Sequence, residues 1–414
     1  MLLAGMARAQ FEQYIGPGSL GIQPVPTKER FENAMQEAPY RLGPLRLGLW
    51  FALRDVSWVD NVYGTVVDQK SDFTATASLG VHGYLPAGPK LVFALYALPE
   101  YVWWRDLDYL RGWNGKYGVG VFGYFNRVTL EMQAGNWQTQ QYYSSVNPVP
   151  VNVEQQRGAA TLEVEVLGRL SVFGTAGEDR WRYEEQNAGA LAGEILQLSD
   201  RNETVVEGGL RYRFSGAFAL AIGYEKLTTD FVNDEHNRSN SGDGRFVELD
   251  LRGHRLWATA RVTDVALRPQ ESSEFASLDT TTGHAQIGWK PGGKLEFQAY
   301  GGRSISYTLL ALQSYYTDER WGLGVQMPLG WRSTARLFWE QGRNNYPRMT
   351  GESVGRTDDL DGYGASLNLK LGSGSAVGLE ASRTDYTSIL PEYTRSITRV
   401  QVNLSLAGAG GQWW

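Results

Sequence analysis

The sequence predicts an all-β chain: a transmembrane, antiparallel up-and-down β-barrel of about 18 strands. Three observations carry the prediction. Apolar and polar residues alternate with a period of two from Gly43 onward. Tight turns alternate with longer polar loops along the same stretch. Aromatic residues are abundant, with 22 Tyr and 14 Trp in 414 residues, and they gather near the strand ends. Rings with one apolar and one polar side suit a membrane interface.

The alternation is plain in six segments. Leu45, Leu47, Leu49, Phe51 and Leu53 interleave with Arg46, Gly48, Trp50, Ala52 and Arg54. Val128, Leu130, Met132 and Ala134 enclose Thr129, Glu131 and Gln133. Leu162, Val164 and Val166 enclose Glu163 and Glu165, and Val247, Leu249 and Leu251 enclose Glu248 and Asp250. Tyr363 to Leu371 and Val400 to Leu406 repeat the pattern. Successive side chains of a strand point to opposite faces, so one face is apolar and the other polar. Wound as a helix, these residues would scatter charge around the whole cylinder.

Tight turns are expected at Pro86 to Lys90, Asn126-Arg127, Leu167 to Leu170, Ser215-Gly216, Gly253-His254, Pro291 to Lys294, Pro328 to Trp331 and Gly372 to Ser375. Longer loops centre near 59–69, 105–113, 141–155, 185–201, 230–243, 267–278, 308–316, 344–358 and 387–393. Eight turns and nine loops make seventeen connections and eighteen strands. Short turns on one side and long loops on the other is the asymmetry of outer-membrane barrels. An even strand number puts both chain ends on the short-turn, periplasmic side. The last strand is expected to close against Leu45 to Leu53 and so remove both free edges. Val121, Leu220, Leu249 and Leu367 are expected to face lipid. Two aromatic belts are expected, one with Trp58, Trp103, Trp113, Tyr142, Tyr143, Trp181, Tyr183, Tyr315, Tyr316, Trp321 and Tyr346 near the loops. The other has Phe125, Phe173, Phe214, Phe218, Trp289 and Trp331 near the turns.

The chain divides into three parts. In residues 1–9, Ala7-Arg8-Ala9 fits the small-x-small rule for signal cleavage, and the stretch reads as the remnant of an export signal. Residues 10–42 are a periplasmic segment broken by Gly16, Pro17, Gly18, Pro24 and Pro26. One short helix is expected at Lys28 to Ala38, with Phe31, Met35 and Ala38 on a common stripe. It would act as a plug or a docking segment, unless the terminus is simply mobile. Residues 43–414 form the barrel.

Composition excludes several classes. There is no Cys, hence no disulfide scaffold and no thiolate metal site. The net charge is -6 and the basic residues are interleaved with acidic ones, which gives nucleic acid no patch to bind. No apolar run reaches the length of a spanning helix.

The hairpin Asp60-Asn61-Val62-Tyr63 with Ser71-Asp72-Phe73-Thr74 resembles the first hairpin of the β-barrel porins of Gram-negative bacteria, some of which sit in exopolysaccharide-export loci. The close of the chain, Arg399 to Leu406 with terminal Trp414, resembles the assembly signal of outer-membrane barrels, although Ala407 to Gln412 intervene. The resemblance implies an outer-membrane location and a porin-like role. It also implies recognition of the last strand by the barrel-assembly machinery, and contact with outer-membrane lipid and lipopolysaccharide.

The polar parity carries both signs of charge. Its acidic members are Glu131, Glu163, Glu165, Glu207, Glu225, Glu248, Asp250, Glu296, Glu340 and Glu380. Its basic members are Arg46, Arg54, Arg211, Arg213, Arg252, Arg261, Lys290, Arg336, Lys370 and Arg399. His284 shares that parity, as do Trp50, Trp104, Phe122, Trp137, Trp257 and Phe338. Ten acids against ten bases is a balanced lining, not a single-sign filter. Aromatic faces among charged groups suit sugar stacking, or they simply fill the interior while charges pair across strands.

No catalytic, cofactor or metal site is assigned. Four histidines, His82, His236, His254 and His284, are scattered, and no Gly-x-Ser-x-Gly or His-Glu-x-x-His motif occurs. Asp358, Asp359 and Asp361 lack the rest of a calcium loop and read as an acidic outer rim, as do Asp230, Asp234 and Asp243. A barrel this wide leaves an aqueous channel. The leading expectation is therefore a diffusion pore or export conduit for hydrophilic solutes, with saccharide and polysaccharide among the candidates. A structural barrel with a packed lumen is the alternative, and a membrane-embedded hydrolase the third.

Overall fold

The computed structural model describes residues 27–63, 69–141, 151–184, 198–234, 237–271, 277–307, 315–346, 355–372, 375–390 and 394–406. The export remnant, Tyr142, Tyr143, His236 and Trp414 lie outside the described residues.

Helix α1 (Thr27–Glu37) leads into a three-residue strand β1 (Tyr40–Leu42). Eighteen long strands follow: β2 (Leu45–Val59), β3 (Asp72–Ala87), β4 (Leu91–Trp104), β5 (Gly112–Tyr124), β6 (Val128–Gln141) and β7 (Val151–Leu167). Then come β8 (Leu170–Glu184), β9 (Arg201–Arg213), β10 (Phe218–Phe231), β11 (Asn240–Arg252), β12 (Leu256–Pro269) and β13 (Leu278–Trp289). The last six are β14 (Glu296–Tyr307), β15 (Tyr315–Pro328), β16 (Ser333–Asn345), β17 (Thr357–Gly372), β18 (Ser375–Ser388) and β19 (Arg395–Leu406). Each pairs antiparallel with the next, and β19 pairs with β2, so the sheet is a closed up-and-down barrel. All eight tight turns fall between the expected strands and define a turn side. The nine longer connections define a loop side.

Closure differs from the expected register. β19 closes against β2 as expected, but it pairs with Phe51 to Val59 and so overlaps the expected Leu45 to Leu53 only at Phe51, Ala52 and Leu53. Closing a tilted sheet requires a stagger, and the stagger lifts β19 towards the loop side. The edge of β2 left below it is taken by β1, which pairs Tyr40 with Leu47 and Leu42 with Leu45. The turn joining them places Gly43 at φ 59°, a conformation that a Cβ would strain. A bulge follows at Asp55, where the backbone amide takes the Asn403 side chain at 2.9 Å. The extra residue shifts parity along β2, so Ser57 is buried and Trp58 faces out.

The outer face is the apolar one. Leu79, Val119, Val206, Ile222, Val262, Leu337 and Leu367 all stand exposed on it. Val121, Leu220 and Leu249 share its parity and are half-buried between neighbours. The aromatic belts need correction. Trp58, Trp103, Trp113 and Trp321 face out near the loops, and Phe125, Phe214, Trp289 and Trp331 near the turns. Trp181, Tyr183, Tyr315, Tyr316, Tyr346 and Phe173 are instead buried inside. All but Tyr315 obey strand parity, which position near a strand end does not reveal. Tyr315 lies beside Tyr316 on β15 and is buried because both faces of the β14–β15 hairpin are covered at that end. The acidic rim is also corrected: Asp358, Asp359 and Asp361 lie within β17, not in a loop.

Candidate functional site

The interior of the barrel is the candidate site, and three different packings occupy it. The first surrounds α1. Phe31 and Ala34 are fully buried against Tyr84 of β3, Val92, Ala94 and Tyr96 of β4, and Phe122 of β5. The Phe31 ring centroid lies 4.1 Å from that of Phe122 and 5.6 Å from that of Tyr84. Lys28 sits 5.5 Å over the Tyr124 ring. The helix is thus held on one wall, near the turn side, by aromatic contact.

The second packing is ionic and runs from β7 to β12. Arg211 donates to Glu163 at 2.7 Å and to Glu248 at 3.2 Å, and Arg213 also pairs with Glu163. Arg261 donates to Glu207 at 2.8 Å, pairs with Glu225, and lies 3.8 Å from Glu248. Arg211 lies 5.0 Å over Phe173, and Arg261 lies 3.8 Å over Phe246. Each guanidinium therefore has carboxylates at its edge and a ring at its face, the arrangement that lets a charge leave water.

The third packing closes the loop side. Val153 of β7 and Trp181 and Tyr183 of β8 form one buried cluster with Tyr316 of β15 and Tyr346, just after β16. β8 and β15 are seven strands apart in a ring of eighteen, so this contact crosses the interior. Beside it, Tyr307 bonds Thr229 at 2.7 Å and donates to Asn240 at 2.9 Å, joining β14 to β10 and β11. Arg201 lies 5.3 Å over Tyr307 and donates to Glu203 at 2.6 Å and to Tyr183 at 3.0 Å. Arg238, in the loop before β11, lies 4.2 Å over Phe231 and is buried. None of its three guanidinium nitrogens has a hydrogen-bond partner. Burial pushes Arg238 down to about 10, against the pull of Asp234, and Arg201 adds to the lowering.

The remaining residues marked by parity have separate partners. Arg46 donates to the Gly43 carbonyl at 2.8 Å. Trp50 is buried with Ala52 and Leu98, its indole filling the space that a Cβ at Gly80 would need. Arg54 pairs with Glu100, and Glu131 accepts from the Tyr124 hydroxyl at 3.1 Å. Glu165 is half-buried, and Asp250 holds Arg252 at 2.6 Å. His284 stands across from Arg261. Glu296 accepts from Trp257 at 2.8 Å and pairs with Lys290 at 3.3 Å. Arg336 lies 5.9 Å from the Phe338 ring, and Glu340 accepts from the Tyr300 hydroxyl at 2.9 Å. Arg399 pairs with Asp55 at 3.2 Å, while Lys370 is exposed. Glu163, Glu207, Arg211, Arg213, Glu225, Glu248 and Arg261 are thus brought into one network, and the others are spread round the wall. Sequence reasoning missed Glu100, Arg201, Glu203 and Arg320, the last buried on β15 between Asp318 at 2.9 Å and Glu340 at 3.6 Å. Arg201 and Glu203 continue the odd parity of Arg211 and Arg213 and could have been found by extending it. Nothing in the sequence marks Arg238, a loop residue.

Acidic clusters do not converge on a cation. Asp358 faces in and takes Arg356 at 2.9 Å, whereas Asp359 faces out and takes Arg343 at 2.7 Å. Among the described residues no group of three or more acidic or histidine side chains could hold a metal ion.

The chain is similar in fold to solved porins of Pseudomonas. Against OpdL of Pseudomonas aeruginosa the TM-score is 0.50 at 14% identity, covering 88% of this chain and 99% of that one. Against OccK2 (OpdF) of the same organism, solved in complex with glucuronate, it is 0.52 at 14% identity, covering 87% and 98%. A BenF-like porin from Pseudomonas fluorescens Pf-5 gives 0.52 at 13% identity, covering 87% and 98%. No curated protein matches the sequence. The family model described as Putative beta-barrel porin 2 matches residues 126–407, from the first turn after β5 to the end of β19. That is 282 of 414 residues (407 − 126 + 1), and the chain therefore belongs to this family of outer-membrane β-barrel porins of Gram-negative bacteria.

Proposed function

We propose that the chain is a narrow channel for small hydrophilic solutes, with its turn side and both ends periplasmic and its long loops outside. The observation that carries this reading is the state of the inward face on β17. Asn368 and Lys370 share the inward parity of buried Asp358 and yet are exposed, so the interior is open to solvent at the turn side. The ion pairs above them leave polar, water-compatible surface, and both signs are present. α1 lies on one wall and acts as a partial plug. The cross-lumen contact of Trp181 with the Tyr316 and Tyr346 side narrows the other end. A polysaccharide strand is the less favoured cargo for that reason, since this cluster would have to separate to admit it.

Sugar acids are the solutes to try first. Arg238, buried over the Phe231 ring at the loop side without a hydrogen-bond partner, supplies a cation for the carboxylate of a sugar acid. The glucuronate bound by the similarly folded OccK2 supports the choice. Planar-bilayer recordings of the full chain and of a form lacking residues 10–42 test the reading. Modest conductance with near-equal cation and anion permeability is expected, larger in the truncated form, with glucuronate reducing the current. If neither form conducts, the structural barrel with a packed lumen takes its place. The last strand is also assigned as the segment read by the assembly machinery. Deleting residues 399–414 is expected to abolish heat-modifiable migration on gels, and normal assembly of that deletion would refute the assignment.

A further inference from the structure

The inward face is not filled equally all round. On β3 from Asp72 to Tyr84, on β4 from Val92 to Trp104 and on β12 from Trp257 to Leu267, every inward residue is buried. A half-buried stretch on β5 to β7 is tied down by its own contacts. Trp137 donates to the Tyr96 hydroxyl at 2.6 Å, and Arg157 lies 4.4 Å over Trp137 and pairs with Asp179 at 3.1 Å.

β17 to β19 differ. No inward residue is buried from Ser366 to Lys370, from Ala376 to Ser382 or from Arg399 to Ser405. The ladder sets their side chains in rows. Ser366 stands opposite Glu380 and Glu380 opposite Gln401, while Ser382 stands opposite Arg399. Arg399 is held by Asp55 at 3.2 Å. Among the described residues, the side chains of Ser366, Glu380, Ser382 and Gln401 have no hydrogen-bond partner. Polar groups in that state are satisfied by water, so this wall is wet where those of β3, β4 and β12 are closed.

We propose that the solute path is eccentric, running along the β17–β19 wall from the level of Arg399 to the turn side, and that its lining takes polyhydroxyl solutes, an inference that rests on the channel reading above. Hydroxyl and amide groups that bond water exchange it for the hydroxyls of a solute at little net cost, because each bond lost is replaced in kind. An apolar solute strips the same groups and replaces nothing. The filled walls offer neither space nor free groups. Moving Arg261 aside, for example, would leave Glu207 and Glu225 buried without their cation. Solute therefore follows the wall whose polar groups are already hydrated.

The chain has no cysteine, so single cysteines report cleanly. Ser382→Cys and Gln401→Cys are placed on the path, and Thr263→Cys, buried on the inward face of β12, is the control. Each is treated in planar bilayers with a cationic methanethiosulfonate. The expected result is a loss of single-channel current at both path positions and no change at the control. Unchanged current at both path positions, or an equal loss at Thr263→Cys, would overturn the path alone. No current from the unaltered chain would overturn the channel reading and the path together. Should a path variant lose heat-modifiable migration, Ser366→Cys takes its place and is judged by the same outcomes. Liposome swelling tests the solute class. Ser382→Val with Gln401→Leu, or either change singly if the pair fails to assemble, should cut arabinose entry severalfold and leave the KCl current nearly unchanged. Arabinose entry that does not fall, or that falls only in step with the current, would refute the assignment of polyhydroxyl solutes.

Discussion

Two walls of the same interior are filled by opposite chemistry. Behind α1 the filling is aromatic and aliphatic, with Phe31 wedged between Tyr84 and Phe122. From β7 to β12 it is a chain of carboxylates and guanidiniums, with Arg211 and Arg261 each touching several partners. The difference lies in what a single loss does. An apolar cluster that loses a ring loses contact area, and its neighbours or water adjust, so the cost is graded. An ionic chain that loses one member leaves the partner's charge buried and uncompensated, so the cost is steep.

Arg261→Leu tests the steep side and should have the largest effect. Glu207, Glu225 and Glu248, all buried, lose their shared cation. The expected loss is about 3 to 5 kcal/mol, read as a lower urea midpoint in detergent. Removing Glu225 as well, by Glu225→Leu in the same chain, should restore part of it. A single change that costs nothing measurable would show that the two walls do not differ in kind.

Leu249→Arg sharpens the comparison on one strand. Its neighbour Glu248 faces in and is paired, whereas Leu249 faces out among apolar side chains. A guanidinium there should cost about 2 to 4 kcal/mol, less than Arg261→Leu, because it can reach towards the headgroups. Phe31→Ala comes third. It should weaken docking of α1 by about 1.5 to 3 kcal/mol and leave the unfolding midpoint of the barrel nearly unchanged. Its clearest readout is conductance, which should rise towards that of the form lacking residues 10–42. An unchanged conductance would mean that α1 does not obstruct the path.

Much of the fold was legible because a strand has an unambiguous period. Each tight turn falls where Gly, Pro or Asn interrupts the alternation, and Leu45 to Leu53 reads as a strand without help. What failed was anything set by curvature or stagger. The pairing of β19 with Phe51 to Val59 follows from the tilt of a closed sheet, and no residue encodes it locally. Parity sorts Glu163 and Arg213 onto one face each, but not their meeting across β8, from β7 to β9. The loop-side rings were misread because Trp181 and Trp58 look alike in composition. The parity of β8 turns Trp181 in, and the bulge at Asp55 turns Trp58 out.

Arg238 is the exception that probes the ionic rule. It is buried like Arg261, yet its guanidinium nitrogens have no hydrogen-bond partner and rest on the Phe231 ring. The nearby Asp234 carboxylate is committed elsewhere, accepting the backbone amides of Arg238 and Ser239 at 2.5 and 2.8 Å. Burial holds Arg238 near 10, which still leaves it charged at neutral pH. A charge in that state costs free energy until an anion arrives. Arg238→Met keeps the length of the side chain and its contact with Phe231, and it removes the charge. The chain should then gain up to about 1 kcal/mol in the absence of solute, opposite in sign to Arg261→Leu. The current block by glucuronate should weaken at the same time. Both readings come from one variant, in urea titration and in bilayers. If Arg238→Met instead destabilises the barrel as Arg261→Leu does, the guanidinium is already compensated, and Arg238 has no spare charge to offer a solute.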